Sequence, residues 1–375
     1  MNATSSSSPR ISLDGTEIGA DTECYVIAEV GHNHQGSVEQ AKALFKAAKE
    51  AGANAVKLQK RDNRGLYTRE AYAKPYENEN SYGSTYGEHR EALEFERPEY
   101  EELKAYCAEL EITFFATAFD FASADLLAEL DMPAYKIASG DLTNTPLLRY
   151  VARIGKPVIF STGGGTIDDV RRGYETLLEE NDQIAVLQCT AGYPAEWDEL
   201  DLGVIGTYRE LFPEAVVGFS SHDNGIAMAV AAFVLGSRIV EKHFTLNRAM
   251  KGTDHVFSLE PQGLRKMVRD LRRTRAALGD GTKNVHPSEI APATKMSKKL
   301  VAARDLAVGH VLGEADVALK SPGDGLPPYE LERVLGSTLS RSVLEDEPLS
   351  FELLDEYRSV QSLPTEERVL SGRDG

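Results

Sequence analysis

Two lysines stand inside strand-like apolar runs, Lys57 in AVKLQ and Lys136 in AYKIAS. An ammonium group is costly to bury unless it meets an anion. If both reach one mouth of the fold they predict a carboxylate or phosphate ligand; the competing reading pairs each with a structural carboxylate. Two histidines close a neighbouring pair of runs, His222 after GFSS and His243 in EKHF. Neutral imidazole is a common ligand of divalent transition metals, and two of them leave positions open for water and substrate. Glu29, Asp141 and Asp254 lie at turns beside the same ends. A carboxylate there serves as base or acceptor, or only as a helix cap. His32 and His34, in GHNHQG, are expected to shape their turn, and His89, His255, His286 and His310 to be solvated loop or module residues.

Such residues need a scaffold that gathers strand ends. Eight short β-branched or aromatic runs, at 25–30, 55–59, 113–118, 134–139, 157–162, 184–190, 216–221 and 237–244, alternate with stretches of helical period such as 38–51 and 261–278. That alternation predicts parallel βα units, and eight strands close a barrel. An open doubly wound sheet alternates too, but no glycine-rich dinucleotide fingerprint follows the first run. The expected fold is therefore α/β, a (β/α)₈ TIM barrel with its chemistry at the C-terminal ends of the strands. The runs deliver Glu29, then Lys57 and Gln59, then Lys136, Ser139 and Asp141 to that mouth. Later runs add Gln188 and Thr190, then Ser220, Ser221 and His222, then Glu241, Lys242 and His243.

Around the barrel, assigned to 21–281, the segment 60–97 is too long for an ordinary βα loop and is rich in Tyr, Asn, Glu and Gly. It is expected to cover a substrate. A polar linker at 282–297 leads to a small β-rich module at 298–357, punctuated by glycine and proline. Residues 1–20 read as a flexible N-terminus and 358–375 as a disordered tail.

With 41 basic against 59 acidic residues the formal charge is -18, which repels nucleic acid and anionic membrane. Cys24, Cys107 and Cys189 stand singly in apolar stretches, as expected of reduced, buried thiols in the cytoplasm. The first residues lack the apolar core of a secretory signal, and no run approaches the roughly 20 apolar residues that span a bilayer.

Taken in order, IAEVGHNHQGS, AVKLQK, YKIASGD, LQCTAGYP, GFSSHDNGIA, EKHFTL and KGTDHVFSLEP resemble the sialic acid synthase family, over about residues 25–355. SYGSTYGEHREALEF and KGTDHVFSLEP look most like the animal type. The resemblance implies a barrel followed by an antifreeze-like (SAF) module swapped onto the partner in a homodimer. It implies condensation of phosphoenolpyruvate with N-acetylmannosamine, or its 6-phosphate, with release of phosphate. Residue by residue it gives Lys57, Thr117, Lys136, Ser139 and Ser220 to phosphoenolpyruvate, and His222 and His243 to Mn²⁺ or Mg²⁺. Glu29, Gln59, Tyr193 and Asp254 would meet the amino sugar, and Asp141 would act on water at the metal. The chain departs from the bacterial pattern at Ala191, where those members carry Asn beside a phosphate, and at Ser321, where they carry an Arg toward the partner's sugar site.

Two alternatives accompany this expectation. One is the same condensation on another acceptor, giving KDN or a legionaminic or pseudaminic type of product. The other is a glycan- or ice-binding protein with no catalysis, against which the lysine and histidine set speaks.

Overall fold

A computed structural model describes residues 8–355 of the 375, and the chain divides into two compact units between Gly279 and Asp280. The first unit opens with a hairpin that corrects the flexible N-terminus expected for 1–20. Asp14 and Gly15 take φ of 51° and 78°, the left-handed pair that a two-residue type I′ turn requires. They join β1 (Arg10–Leu13) antiparallel to β2 (Thr16–Gly19). That register puts Ile11, Leu13 and Ile18 on one buried face, and burying this much apolar surface overcomes the polar character of the flanking sequence. Residues 1–7 and 356–375 lie outside the described residues, and the expected tail with them.

Eight parallel strands then close the expected barrel. They are β3 (Tyr25–Glu29), β4 (Ala55–Lys60), β5 (Thr113–Ala118), β6 (Tyr135–Ile137), β7 (Val158–Ser161), β8 (Ile184–Cys189), β9 (Val216–Ser221) and β10 (Ile239–His243), with β10 pairing to β3. The run at 134–139 yields only a short strand, because Ser139–Asp141 tightens into a 3₁₀ turn.

Strand period two sorts the side chains. One parity points outward beneath the helices, as Val26, Ala28, Val56, Leu58, Phe160 and Phe219 do. The other points inward. Its lower members, among them Tyr25, Ile27, Phe115, Ile159, Leu187 and Ile239, form one apolar cluster with Ile11, Leu13 and Ile18 of the hairpin, which plugs the barrel's N-terminal end. One pleat higher the same parity turns polar: Glu29, Lys57, Gln59, Thr117, Lys136, Ser161, Ser220, Glu241 and His243. Apolar floor and reactive mouth are two levels of one inner surface.

The second unit packs β11 (Lys299–Ala302) against β12 (Val317–Lys320) and β13 (Thr338–Leu339) against β14 (Leu354–Asp355) around Leu300, Leu306, Leu312, Val334 and Leu339. The expected linker carries an exposed helix, Pro287–Met296. Pro287 begins it, and the His286 N–H donates to Glu289 at 2.9 Å, so the start is capped.

Candidate active site

A cavity of about 570 Å³ opens at the C-terminal ends of the strands. On its β3–β4 side, Glu29 Oε2 lies 2.6 Å from Lys57 Nζ, at an angle that makes an ion pair without a hydrogen bond. Lys57 also donates to Thr117 Oγ1 at 2.8 Å. Gln59 donates from Nε2 to Glu29 Oε1 at 2.7 Å. Across the mouth, Lys136 donates to Ser161 Oγ at 2.6 Å and to the Ile137 carbonyl at 2.9 Å. Between the lysines sits Glu241, 3.8 Å from Lys57 and 3.9 Å from Lys136, accepting from Ser220 at 3.0 Å. Two buried cations therefore face two buried carboxylates, the arrangement of the competing reading for Lys57 at least. Burial pushes Glu29 up against the pull of Lys57, with Glu241 adding to the push. Burial would do the same to Glu241, but Lys136 and Lys57 outweigh it and hold it low. Burial also lowers Lys136. The acids are thus poised unequally, as a proton-handling pair requires.

Beside this floor the His222 and His243 rings lie 5.3 Å apart. Burial, then the neighbouring imidazole, pushes His222 down to about 4, and burial lowers His243 too, so both present neutral nitrogens. His222 Nδ1 meets the Thr190 carbonyl at 2.9 Å, which leaves Nε2 as its free lone pair. His243 Nδ1 is buried without a hydrogen-bond partner, 3.7 Å from Asp254 Oδ2. The two neutral imidazoles are candidate donors to a divalent cation, and among the described residues no three His, Cys, Asp or Glu converge into a metal-holding group.

Every other residue expected to hold substrate, metal or a catalytic proton lines the cavity except Asp141, while Gln188, Thr190, Ser221 and Lys242, expected at the same mouth, do not line it. Tyr193 stacks near His222 with centroids 4.2 Å apart. Ser139 accepts from the Gly163 N–H at 2.9 Å and lies 3.6 Å from Cys189 Sγ. Asp141 closes the 3₁₀ turn after β6 and accepts from Asn144 at 3.0 Å, away from the cavity. The 3₁₀ turn ends the strand alternation, and Asp141 does not share the inner side of Lys136. Ala191 lines the cavity, and Ser321, in the second unit, bonds Lys298 at 2.5 Å. Lys242 takes the outward parity and pairs with Asp223 at 2.9 Å.

Several lining residues carried no functional expectation. Ser161 shares the inner parity of β7, which would have flagged it, whereas Glu241 was expected at this mouth with no role assigned. Arg61, Tyr76, Tyr82, His89 and Arg90 come from the long 60–97 segment, which lies over the cavity as expected of a covering loop. His89 and His255 are buried, contrary to the solvated loop positions expected. Cys24, Cys107 and Cys189 are buried free thiols. Among the described residues no helix is long and apolar enough to cross a membrane.

Residues 44–283 match the NeuB family and residues 299–355 the SAF domain. Human N-acetylneuraminate-9-phosphate synthase is 37% identical over 345 residues, 92% of this chain and 96% of that one. The chain belongs to the NeuB family. The N,N'-diacetyllegionaminic acid synthase of Campylobacter jejuni is 33% identical, over 86% of this chain and 97% of that one. Among solved structures, the N-acetylneuraminic acid synthetase of Leptospira borgpetersenii superposes with a TM-score of 0.67 at 30% identity, covering 76% of this chain and 95% of its own. The sialic acid synthase resemblance is therefore established, and with it membership of an enzyme family built on this barrel and SAF module.

Proposed function

We propose that this NeuB-family barrel condenses phosphoenolpyruvate with N-acetylmannosamine or its 6-phosphate, giving N-acetylneuraminate or its 9-phosphate and free phosphate. The observation that carries the reading is the two-lysine, two-carboxylate floor standing beside two neutral imidazoles in one cavity. Lys57 and Lys136, with Thr117, Ser139 and Ser220, would take the carboxylate and phosphate of phosphoenolpyruvate as charge-assisted hydrogen bonds. Glu29, Gln59, Tyr193 and Asp254 would hold the open-chain sugar, with its aldehyde toward the imidazoles. His222 and His243 fit Mn²⁺ or Mg²⁺, which when bound would polarise the aldehyde carbonyl.

In this scheme C3 of phosphoenolpyruvate attacks the aldehyde carbon, and the new alkoxide takes a proton. Glu29, raised by burial, is placed to supply it. Water then adds at C2, and the C2–O bond to phosphate breaks to leave the ketone. The lysines stabilise the departing phosphate's charge. Asp141 lies off the cavity, so Glu241, set between the two lysines, takes over the role of accepting the proton from that water. A homodimer with exchanged SAF modules and a cytoplasmic location belong to the same proposal.

Purified protein incubated with phosphoenolpyruvate, Mn²⁺ and each sugar in turn should release phosphate and form a product whose mass is that of phosphoenolpyruvate, sugar and one water less phosphoric acid. No phosphate release with any hexosamine overturns the reading. A product from a diacetylated acceptor alone would move the enzyme to the legionaminic type.

A further inference from the structure

The rim of the cavity holds a second cationic centre that the condensation floor does not use. Arg61 follows β4 and Arg90 ends the short helix Tyr86–Glu91, so both come from the covering segment or its root. Both line the cavity, Arg61 almost fully buried. Their partners are neutral. Arg61 Nη2 donates to Gln59 Oε1 at 2.6 Å and its guanidinium lies 3.7 Å from the Phe119 ring centroid. Arg90 donates from Nε and Nη2 to the Tyr86 hydroxyl at 3.0 and 2.7 Å.

The imidazole of His32 stands between them, with Nε2 3.0 Å from Arg61 Nη1 and Nδ1 3.3 Å from Arg90 Nη1. A neutral imidazole accepts at one nitrogen only, so one of these contacts sets an N–H against an N–H. Burial, followed by the two guanidinium charges, drives His32 well below its usual range, so the ring stays neutral between them. Glu94, which pairs with Lys60 at 3.1 Å, and Asp141 and Asp254 act on the two guanidinium groups from a distance, but among the described residues no carboxylate makes an ion pair with either. The field is positive enough to hold the Tyr86 phenol below its usual range, Arg90 and the Tyr67 hydroxyl outweighing burial. Surplus donors on one buried and one half-buried guanidinium, neither in an ion pair among the described residues, fit an anionic group with several acceptor oxygens.

We infer that Arg61, His32 and Arg90 form the subsite for the phosphate of a phosphorylated sugar acceptor. The assignment rests on the condensation reading and selects the 6-phosphate over the free sugar. Gln59 bridges Arg61 to Glu29, and the arginines line the same cavity as His222 and His243, so an open-chain hexosamine 6-phosphate would lie with its phosphate at the arginines and its aldehyde toward the imidazoles. Arg90 is the specificity determinant of the set, because it is carried by the segment that covers the site.

The test measures kcat/KM for N-acetylmannosamine and its 6-phosphate in the wild type, Arg90→Gln and Arg90→Lys. Alongside it, mannitol 1-phosphate, which has the phosphate but no aldehyde, is titrated calorimetrically into each enzyme with phosphoenolpyruvate present. The wild type should favour the phosphorylated sugar at least tenfold. Arg90→Gln should shrink that preference by between about ten- and a hundredfold, the loss expected for a charged hydrogen bond. Arg90→Lys, keeping charge without the fork, should fall between. Equal use of both sugars by the wild type, or an unchanged preference in both variants, overturns the assignment. If neither sugar reacts but mannitol 1-phosphate binds in an Arg90-dependent way, the condensation reading falls and the anion subsite stands. Binding independent of Arg90 removes the subsite.

Discussion

Lys136 and Lys57 look alike in sequence and differ in what surrounds them. Lys136 spends its hydrogen bonds on a serine hydroxyl and a carbonyl and meets Glu241 only at 3.9 Å, a loose ion pair that leaves room for a substrate anion. Lys136→Met should raise KM for phosphoenolpyruvate at least tenfold and lower kcat by on the order of 100-fold; steady-state kinetics within twofold of wild type would remove it from the anion site. Lys57 neutralises Glu29 as well. Lys57→Met leaves that carboxylate buried and unpaired, and should cost about 3–5 kcal/mol at pH 8. The pH dependence has a definite sign. Burial already raises the Glu29 pKa, and removing Lys57 raises it further, so the folded variant binds a proton more readily than the unfolded chain. Its stability deficit should then shrink as pH falls toward 5 and widen above, read from urea denaturation at each pH. For the imidazoles, His222→Ala and His243→Ala should each abolish retention of Mn²⁺ after dialysis, measured by elemental analysis, together with activity. Retention and activity at wild-type levels would sink the metal assignment.

Elements outside the site set its shape. The hairpin β1–β2 seals the barrel floor, and Leu13 is fully buried in the inner cluster. Leu13→Ala should destabilise by about 2–5 kcal/mol, seen as a lower denaturation midpoint with an unchanged m-value. The turn GHNHQG depends on Gly36, which has φ of +75° and where an added Cβ would lie 2.3 Å from the Ala92 carbonyl of the covering segment. Gly36→Ala should therefore displace that segment and raise KM for the sugar, while amide exchange stays slow in the outer barrel core. The segment is tied down at its end by His34 stacked on Phe95 and by Lys60 with Glu94. Its length was legible in the sequence, but the contacts that place Arg90 and His89 in the cavity join residues far apart along the chain.

At the scale of the molecule, each unit carries its own core. In the second, Asp316 accepts from His310 at 2.8 Å, from the Gly313 N–H at 2.9 Å and from Arg304 at 2.6 Å. Those donors, His310 first, hold its carboxyl well below the usual range. A depressed folded pKa contributes stability above the unfolded value near 4, lost as pH falls below it. Wild type should outlast Asp316→Asn in thermal melts at pH 7, with the gap closing toward pH 2. Light scattering tests the proposed dimer, for which twice the chain mass is expected.

The sequence by itself determined which strands exist and which residues share a face, because a period of two and the cost of burying charge are local facts. From them the barrel, the lysine pair and the histidine pair were all legible, and ordered motifs supplied the family. The Asp14–Gly15 turn and the inner parity of Ser161 were legible too, and went unread. Tertiary structure alone decided the rest. Closure of β10 onto β3 set Glu241 between the two lysines, a 3₁₀ turn took Asp141 off the cavity, and the covering segment brought two arginines to one imidazole. Each of these depends on where chain-distant groups meet, and electrostatic energy follows distance in space.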